Sequence, residues 1–215
     1  MQQPATYDAY VEIAPDGSAL AQLLDLPGCY GRGRTEQEAL ASLTAAIPGY
    51  YAWMERHDDY TPVVAGPHAV ALRQRVITPP GAFFTPDAEP VEPGDLDITT
   101  ALLEWAYADL ISLAAAVPND ALAAALDPLL RQQLWLISRL EASPAPANPE
   151  ALPGGPRERL RTVGQASVAR LRGASEAERG RILEHEGERW SLAKVLRRSI
   201  LLVRMQSDAL ARPQT

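Results

Sequence analysis

Residues 7–17 read YDAYVEIAPDG, and this segment decides the fold of the first part of the chain. Polar residues alternate there with the apolar side chains Tyr7, Ala9, Val11 and Ile13. That alternation is the period of a half-buried strand. Asp16-Gly17 then favours a hairpin turn, because glycine tolerates the positive φ that primed turns require. We therefore expect a second strand over Ala19–Leu26, ended by Pro27-Gly28-Cys29-Tyr30-Gly31.

A helix is predicted to follow this hairpin. Thr35 can cap it through its hydroxyl, while Glu38 reaches back to a free backbone amide, the reciprocal arrangement of a capping box. The apolar residues recur at helical spacing: Ala39, Leu40, Leu43, Ile47, Tyr50, Tyr51 and Met54. A further strand is expected over Ala69–Ile77. Residues 1–77 are thus predicted to form a small α+β domain of order ββαβ, with its helix on one side of the sheet.

The sequence between residues 78 and 95 is predicted to be a proline-rich linker. It contains Thr78-Pro79-Pro80-Gly81 and then Pro86, Pro90 and Pro93. Each proline lacks a backbone donor, which disfavours a helix interior or a central strand. Charge also differs on the two sides of this stretch. Residues 1–60 hold three bases and nine acids, whereas residues 97–215 hold fifteen bases and fourteen acids.

The first domain resembles a known family. Tyr10-Val11-Glu12-Ile13, Leu26-Pro27-Gly28-Cys29 and the Thr35-Glu36-Gln37-Glu38-Ala39-Leu40 run look like the amino-terminal domain of HicB-like antitoxins. The resemblance implies a fold similar to a double-stranded-RNA-binding or degenerate RNase H domain, and a role in neutralising a small RNA-cleaving toxin. In that family a DNA-binding segment usually follows, but no helix-turn-helix or ribbon-helix-helix pattern follows here. The resemblance therefore implies a partner-binding module.

The second half, residues 96–215, predicts a four-helix bundle with one long crossover. Its first helix carries Leu102, Trp105, Ala106, Leu113 and Val117, and Pro118 ends it. The second helix follows Asn119-Asp120, with Asp127-Pro128 as an alternative start because aspartate caps well and proline suits a first turn. A loop over residues 143–149 separates this pair from a third helix that opens near Pro156. Ser175 with Glu178 caps a short helix, and Ser191 starts the last one.

The second half also resembles a known family. Glu186-Gly187-Glu188-Arg189-Trp190-Ser191, Val195-Leu196-Arg197-Arg198 and residues 133–140 look like the DinB or YfiT-like four-helix bundles. Active members bind a divalent metal through three histidines, and some are thiol-dependent transferases. Carried over to this sequence, the histidine positions fall on Pro128, Leu202 and Gln206. We expect no metal and no cofactor here, because leucine and proline offer no lone pair and a glutamine amide is a weak ligand.

A ligand pocket is the remaining expectation for the bundle. Gln133 and Gln206 both fall on stripes that should face inward, and a buried amide needs hydrogen-bond partners. The two amides can bond each other, with Leu202 and its apolar neighbours filling the former metal pocket. If the pocket is open instead, Gln133, Trp135, Leu202 and Gln206 are the residues expected to line it and to orient a ligand.

Each of several other side chains has a functional and a structural interpretation. His185 and Glu188 can form a displaced metal site, but a charged stretch more often is an exposed loop. The bases Arg189, Lys194, Arg197, Arg198 and Arg204 can contact phosphates, but interleaved acids favour a solvated face. Cys29 is expected to pack under the hairpin rather than to react. The four tryptophans, Trp53, Trp105, Trp135 and Trp190, are expected to pack in cores.

Composition limits the function classes. The 215 residues carry a net charge of -7, which disfavours nucleic acid and anionic lipid as partners of the whole molecule. One cysteine excludes an internal disulfide, and the sequence shows no signal-peptide or membrane-span pattern, so a cytoplasmic location is expected. We expect a two-domain binding or regulatory protein rather than an enzyme, with a basic protein partner for the acidic first domain and homodimerisation as an open alternative. A metal-dependent thiol transferase with unusual ligands and a nucleic-acid-linked regulator of toxin-antitoxin type are the alternatives.

Overall fold

A computed structural model of the chain describes residues 5–57, 67–77, 81–144 and 148–212. Contacts divide the chain into two units between Phe84 and Thr85. The first unit contains the strands β1 (Ala5–Ile13), β2 (Ala19–Leu23), β3 (Tyr30–Gly33) and β4 (His68–Ile77), with the helix α1 (Glu36–Glu55) between the last two. The sheet order is β3-β2-β1-β4. β1 and β2 are antiparallel, and β4 runs parallel to β1.

The local signals of the first unit act as predicted except in one detail: the Glu38 carboxylate accepts from the Arg34 amide, not from the Thr35 amide as in a capping box. Gly17 adopts φ 86° in the turn between β1 and β2, a conformation that side chains rarely adopt. At the start of α1 the Glu38 amide donates to Thr35 Oγ1 at 3.2 Å, and the Arg34 amide donates to Glu38 Oε2 at 2.8 Å. The α1 residues that face the sheet are buried: Ala39, Leu43, Ile47, Tyr50 and Trp53. Cys29 is also buried, as expected for a cysteine packed under the hairpin.

The predicted order ββαβ was wrong by one strand. Tyr30 and Gly31, taken as the end of the second strand, begin β3, which pairs antiparallel with β2. β3 has four residues and two are glycines, so no alternation of apolar side chains marks it. Glycine is required at position 31 because of a close approach to α1, and not because of a turn conformation. A Cβ there would lie 2.7 Å from Leu43 Cα and would overlap the backbone of α1.

The second unit is mostly helical. After a short 3-10 turn (Thr85–Ala88) it contains α2 (Pro93–Ala114), α3 (Asn119–Ser138), α4 (Pro156–Arg172), the short α5 (Glu176–Arg179), the hairpin strands β5 (Ile182–His185) and β6 (Glu188–Ser191), and α6 (Leu192–Ala211). The four long helices pack in the cyclic order α2-α4-α3-α6. The chain is therefore α+β, a four-stranded sheet followed by a predominantly helical unit. Within the parts of the chain that the structure describes, no helix has the length and apolar character to cross a bilayer.

One helix start differs from the expectation, and another decides between two predicted alternatives. α2 begins at Pro93, inside the stretch predicted as linker, because proline at the first helical position loses no hydrogen bond. α3 begins at Asn119, so Asp127-Pro128 does not start it and Pro128 lies within the helix. The capping predictions at Ser175 and Ser191 are confirmed: both side chains accept a hydrogen bond from the third residue of the helix that follows. The hairpin β5–β6 was not predicted.

Gly31→Ala should destabilise the first unit, because the added methyl group would overlap the backbone of α1. We expect a loss of about 3 kcal/mol, measured by hydrogen exchange of the β1 and β2 amides. Gly49→Ala is the matched control, since Gly49 lies in α1 with open space around it and alanine favours a helix. Equal protection in the two variants would show that α1 and β3 do not pack as closely as described.

Candidate functional site

Gln133 lies where the sequence placed it, in the interior between α3 and α6. It is fully buried, and its Nε2 donates to the Ser199 carbonyl at 3.0 Å. The bond expected between Gln133 and Gln206 is therefore replaced by a bond to backbone. Gln133 Oε1 and Ser199 Oγ are buried and have no hydrogen-bond partner among the described residues. Each such group is costly in a dry interior, by about 1 to 3 kcal/mol.

Leu202 and Gln206 lie one turn apart on α6 and are both half-buried. Pro128, the third position implied by the DinB-like resemblance, is exposed on α3. A hydrocarbon, a pyrrolidine ring and one amide do not fit a transition metal, which takes imidazole, thiolate or carboxylate donors. No group of three or more His, Cys, Asp and Glu side chains suited to a metal ion occurs among residues 5–57, 67–77, 81–144 and 148–212.

An open cavity of about 760 Å³ lies on a different face of α3. Its lining residues recur at three- and four-residue steps: Ala124, Asp127, Pro128, Arg131, Gln132 and Trp135. Side chains at those steps share one helix face. Of the four residues predicted to line a pocket, only Trp135 is among them. An apolar stripe does not predict the other lining residues, because three of the six, Asp127, Arg131 and Gln132, are polar. We call this side of the helix the α3 face.

The indole of Trp135 has a fixed orientation at the edge of this face. Trp190 meets it edge-on, with ring centroids 5.0 Å apart and an interplanar angle of 89°. The Arg139 guanidinium lies 4.4 Å from the Trp135 ring centroid. Aromatic pairs and cation–π contacts each contribute on the order of 1 kcal/mol. Trp135 is half-buried, so part of its surface remains available. The core-packing prediction describes Trp53 and Trp190 well, but Trp105 and Trp135 are only half-buried.

Lys194 lies behind Trp190 in the first turn of α6. Its Nζ is 3.7 Å from the Trp190 ring centroid and donates to the Arg189 carbonyl at 2.9 Å. The side chain is only 1% exposed, and burial lowers the pKa of Lys194 to about 8. Glu188, with Oε2 3.9 Å from Nζ, opposes that shift in the pKa.

A buried ion pair lies one turn further along α6. Arg197 donates to both carboxylate oxygens of Asp87, from Nε at 3.0 Å and from Nη2 at 2.6 Å. Asp87 belongs to the 3-10 turn inside the stretch predicted as linker, where no sequence motif points to a functional side chain. The expectation of a solvated basic face was wrong for Lys194, Arg197 and Arg198, which are all buried. The first two are held within the fold by the indole and the carboxylate.

His185 and Glu188 are cross-strand partners in the β5–β6 hairpin. The structure thus brings this predicted pair together, in a hairpin rather than in the expected loop. His185 Nε2 is 3.1 Å from the Arg139 carbonyl. That ring nitrogen is therefore already engaged by a backbone carbonyl.

Comparisons with protein-family models, with curated proteins and with solved structures found no match to this chain. The HicB-like and DinB-like resemblances therefore rest on the sequence motifs alone.

Lys194→Met should flatten part of the pH dependence of stability of the second unit. The pKa of Lys194 is about 8 when folded and 10.5 as its ordinary value. Between these values the unfolded chain binds more protons, so deprotonation stabilises the fold as the pH rises, and the full cost of the buried charge applies below pH 8. We expect the wild type to gain about 2 to 3 kcal/mol relative to Lys194→Met between pH 8 and pH 10.5, measured by urea unfolding. A constant difference would contradict a depressed pKa.

Proposed function

We propose that this chain is a non-enzymatic binding protein of the cytoplasm, and that its helical unit takes a ligand on the α3 face. The observation that carries this is the indole of Trp135, which two contacts fix and which borders an open cavity. A ring that is already immobile loses little conformational entropy when a ligand stacks on it. Preorganisation of this kind is typical of a binding surface.

The polar residues of the α3 face define the class of ligand. Arg131 is paired with Glu150 at 3.1 Å, so its charge is largely neutralised. Asp127 and Gln132 add hydrogen-bonding groups, and the Asp127 carboxylate adds a negative charge. A flat aromatic surface beside a carboxylate and an amide suits a planar heterocycle with hydrogen-bond donors on its edge and no negative charge.

In this proposal the second unit is a DinB-like bundle that has lost its metal ligands. Leu202, Gln206 and Pro128 stand at the positions where the resemblance implies histidines. The first unit is a HicB-like module with a surplus of acids, and its partner is a basic protein, since complementary charge favours encounter. Self-association into a homodimer is the open alternative, and sedimentation would test it.

Elemental analysis tests the metal-free part of this proposal. The full chain, purified without added metal or chelator, should contain well under one equivalent of zinc, nickel, manganese or iron. A stoichiometric metal that His185→Ala or Glu188→Ala removes would favour the alternative, a metal-dependent thiol transferase with unusual ligands. Salt-dependent binding of RNA or DNA would instead favour a nucleic-acid-linked regulator.

Trp135→Leu tests the binding surface itself. Adenosine serves as the probe, because it is uncharged and its base is planar and carries an amino group on its edge. We expect saturation-transfer NMR to show that the wild type binds adenosine and that Trp135→Leu binds it at least about tenfold more weakly, since stacking on an aromatic ring contributes roughly 1 to 3 kcal/mol.

Two variants control this experiment. Trp105→Leu, a half-buried tryptophan of α2 that does not line the cavity, should leave the affinity unchanged. Trp135→Phe keeps a ring and should lie between the wild type and Trp135→Leu. Unaltered adenosine affinity in Trp135→Leu, or no adenosine binding by the wild type, would remove the support for the α3 face as the binding site.

A further inference from the structure

The helices α2 and α4 pack antiparallel, with contacts at both ends and in the middle. At one end Arg157 Nε donates to the Ala114 carbonyl at 3.1 Å. At the other end Arg172 Nη2 is 2.9 Å from Glu104 Oε2. Between them Gly164 lies against the ring of Tyr107, where an added Cβ would be 2.9 Å from Tyr107 Cδ1. The absence of a Cβ at Gly164 therefore leaves room for the buried ring of Tyr107.

A groove of about 360 Å³ runs along the outer side of this helix pair. Its apolar lining consists of Tyr107, Ala108, Ile111, Gly164, Val168 and Ala169. Ala108 and Ala169 are exposed, one on each helix, and their short side chains leave the groove open. The structure thus presents an apolar surface of small side chains to solvent, between two helices that fix its width.

The charges at the two ends of the groove differ. The Arg172 guanidinium is paired with Glu104, and hydrogen bonding to that carboxylate raises the pKa of Arg172. Arg161 also lines the groove, and within the described parts of the chain it has neither a hydrogen bond nor an ion pair. The two arginines are eleven positions apart, which is roughly 16 Å along a helix. The groove is therefore elongated and carries an uncompensated positive charge towards one end.

We propose that this groove binds a small amphipathic anion, a monocarboxylate with an unbranched apolar chain. The alkyl chain of the ligand lies over the Tyr107 ring and the alanines, where its apolar surface is removed from water. The carboxylate is held by Arg161, whose planar guanidinium matches two carboxylate oxygens. An unbranched alkyl chain fits better than a bulky ring, because the lining extends along the two helices, from Glu104 and Arg172 to Ile111 and Arg161. This site is separate from the α3 face and does not depend on the function proposed there.

Decanoate and decanol are the probes, used with the full chain below the concentration at which decanoate aggregates. Isothermal titration should show saturable decanoate binding by the wild type. Arg161→Gln should weaken it about tenfold or more, as expected for the loss of a charge-assisted hydrogen bond. Decanol, which lacks the charge, should bind the wild type and Arg161→Gln equally.

A second variant tests the groove by its shape, without a change of charge. Ala169→Phe places a large side chain in the groove from an exposed position, so it should abolish decanoate binding while the chain stays folded. Ala166→Phe is its matched control, since Ala166 is exposed on the same helix and does not line the groove. Arg73→Gln, an exposed arginine of β4, is the control for Arg161→Gln.

Three outcomes would overturn the proposal. The first is the absence of saturable decanoate binding by the wild type. The second is decanoate binding by Arg161→Gln and Ala169→Phe that is as tight as in their controls. The third is a concentration-dependent dimer that Ala169→Phe, but not Ala166→Phe, disrupts in sedimentation. That result would assign the groove to a second copy of the chain.

Discussion

The indole of Trp190 is the constraint on which the helical unit depends. It is 2% exposed and brings together β6, the first turn of α6 and α3. One face lies beneath the Lys194 ammonium, and the ring meets Trp135 at a right angle. If this indole moved, the buried ammonium would lose its cation–π partner and Trp135 would lose one of the two contacts that orient it. The β5–β6 hairpin is therefore a structural part of the unit, because it delivers Trp190 to that position.

The buried charges near the start of α6 are costly, and their partners show how the fold tolerates them. A cation in the first turn of a helix opposes the helix dipole, and burial adds a desolvation cost. Lys194 offsets part of this through the Trp190 ring and the Arg189 carbonyl. Arg197 is better matched, because both carboxylate oxygens of Asp87 accept from it. A neutral core would tolerate a change of register between α6 and the 3-10 turn, whereas these directional bonds do not.

Much of the fold follows from local sequence signals, and the omissions have physical reasons. The capping residues Thr35, Ser175 and Ser191 mark helix starts because they satisfy backbone amides that would otherwise lack partners. β3 and the β5–β6 hairpin were missed because strand detection relies on alternating apolar residues. In β3 the residue that allows the strand to pack against α1 is Gly31, because it has no side chain. In β5–β6 the only apolar residues are Ile182, Leu183 and Trp190, and of these only Trp190 is fully buried.

The candidate site was harder to predict because α3 has one face that packs into the core and another that lines a cavity. An apolar period identifies the face of α3 that packs inward, and it placed Gln133 correctly. It carries no information about an outward face, where Asp127, Arg131 and Gln132 surround a cavity. Trp135 was found only because it is large and apolar and lies near both faces. Similarly, no sequence period shows that Gly164 packs on Tyr107, although that contact shapes the groove between α2 and α4. Surfaces of this kind depend on which side chains are small or polar, and only the packed structure reveals them.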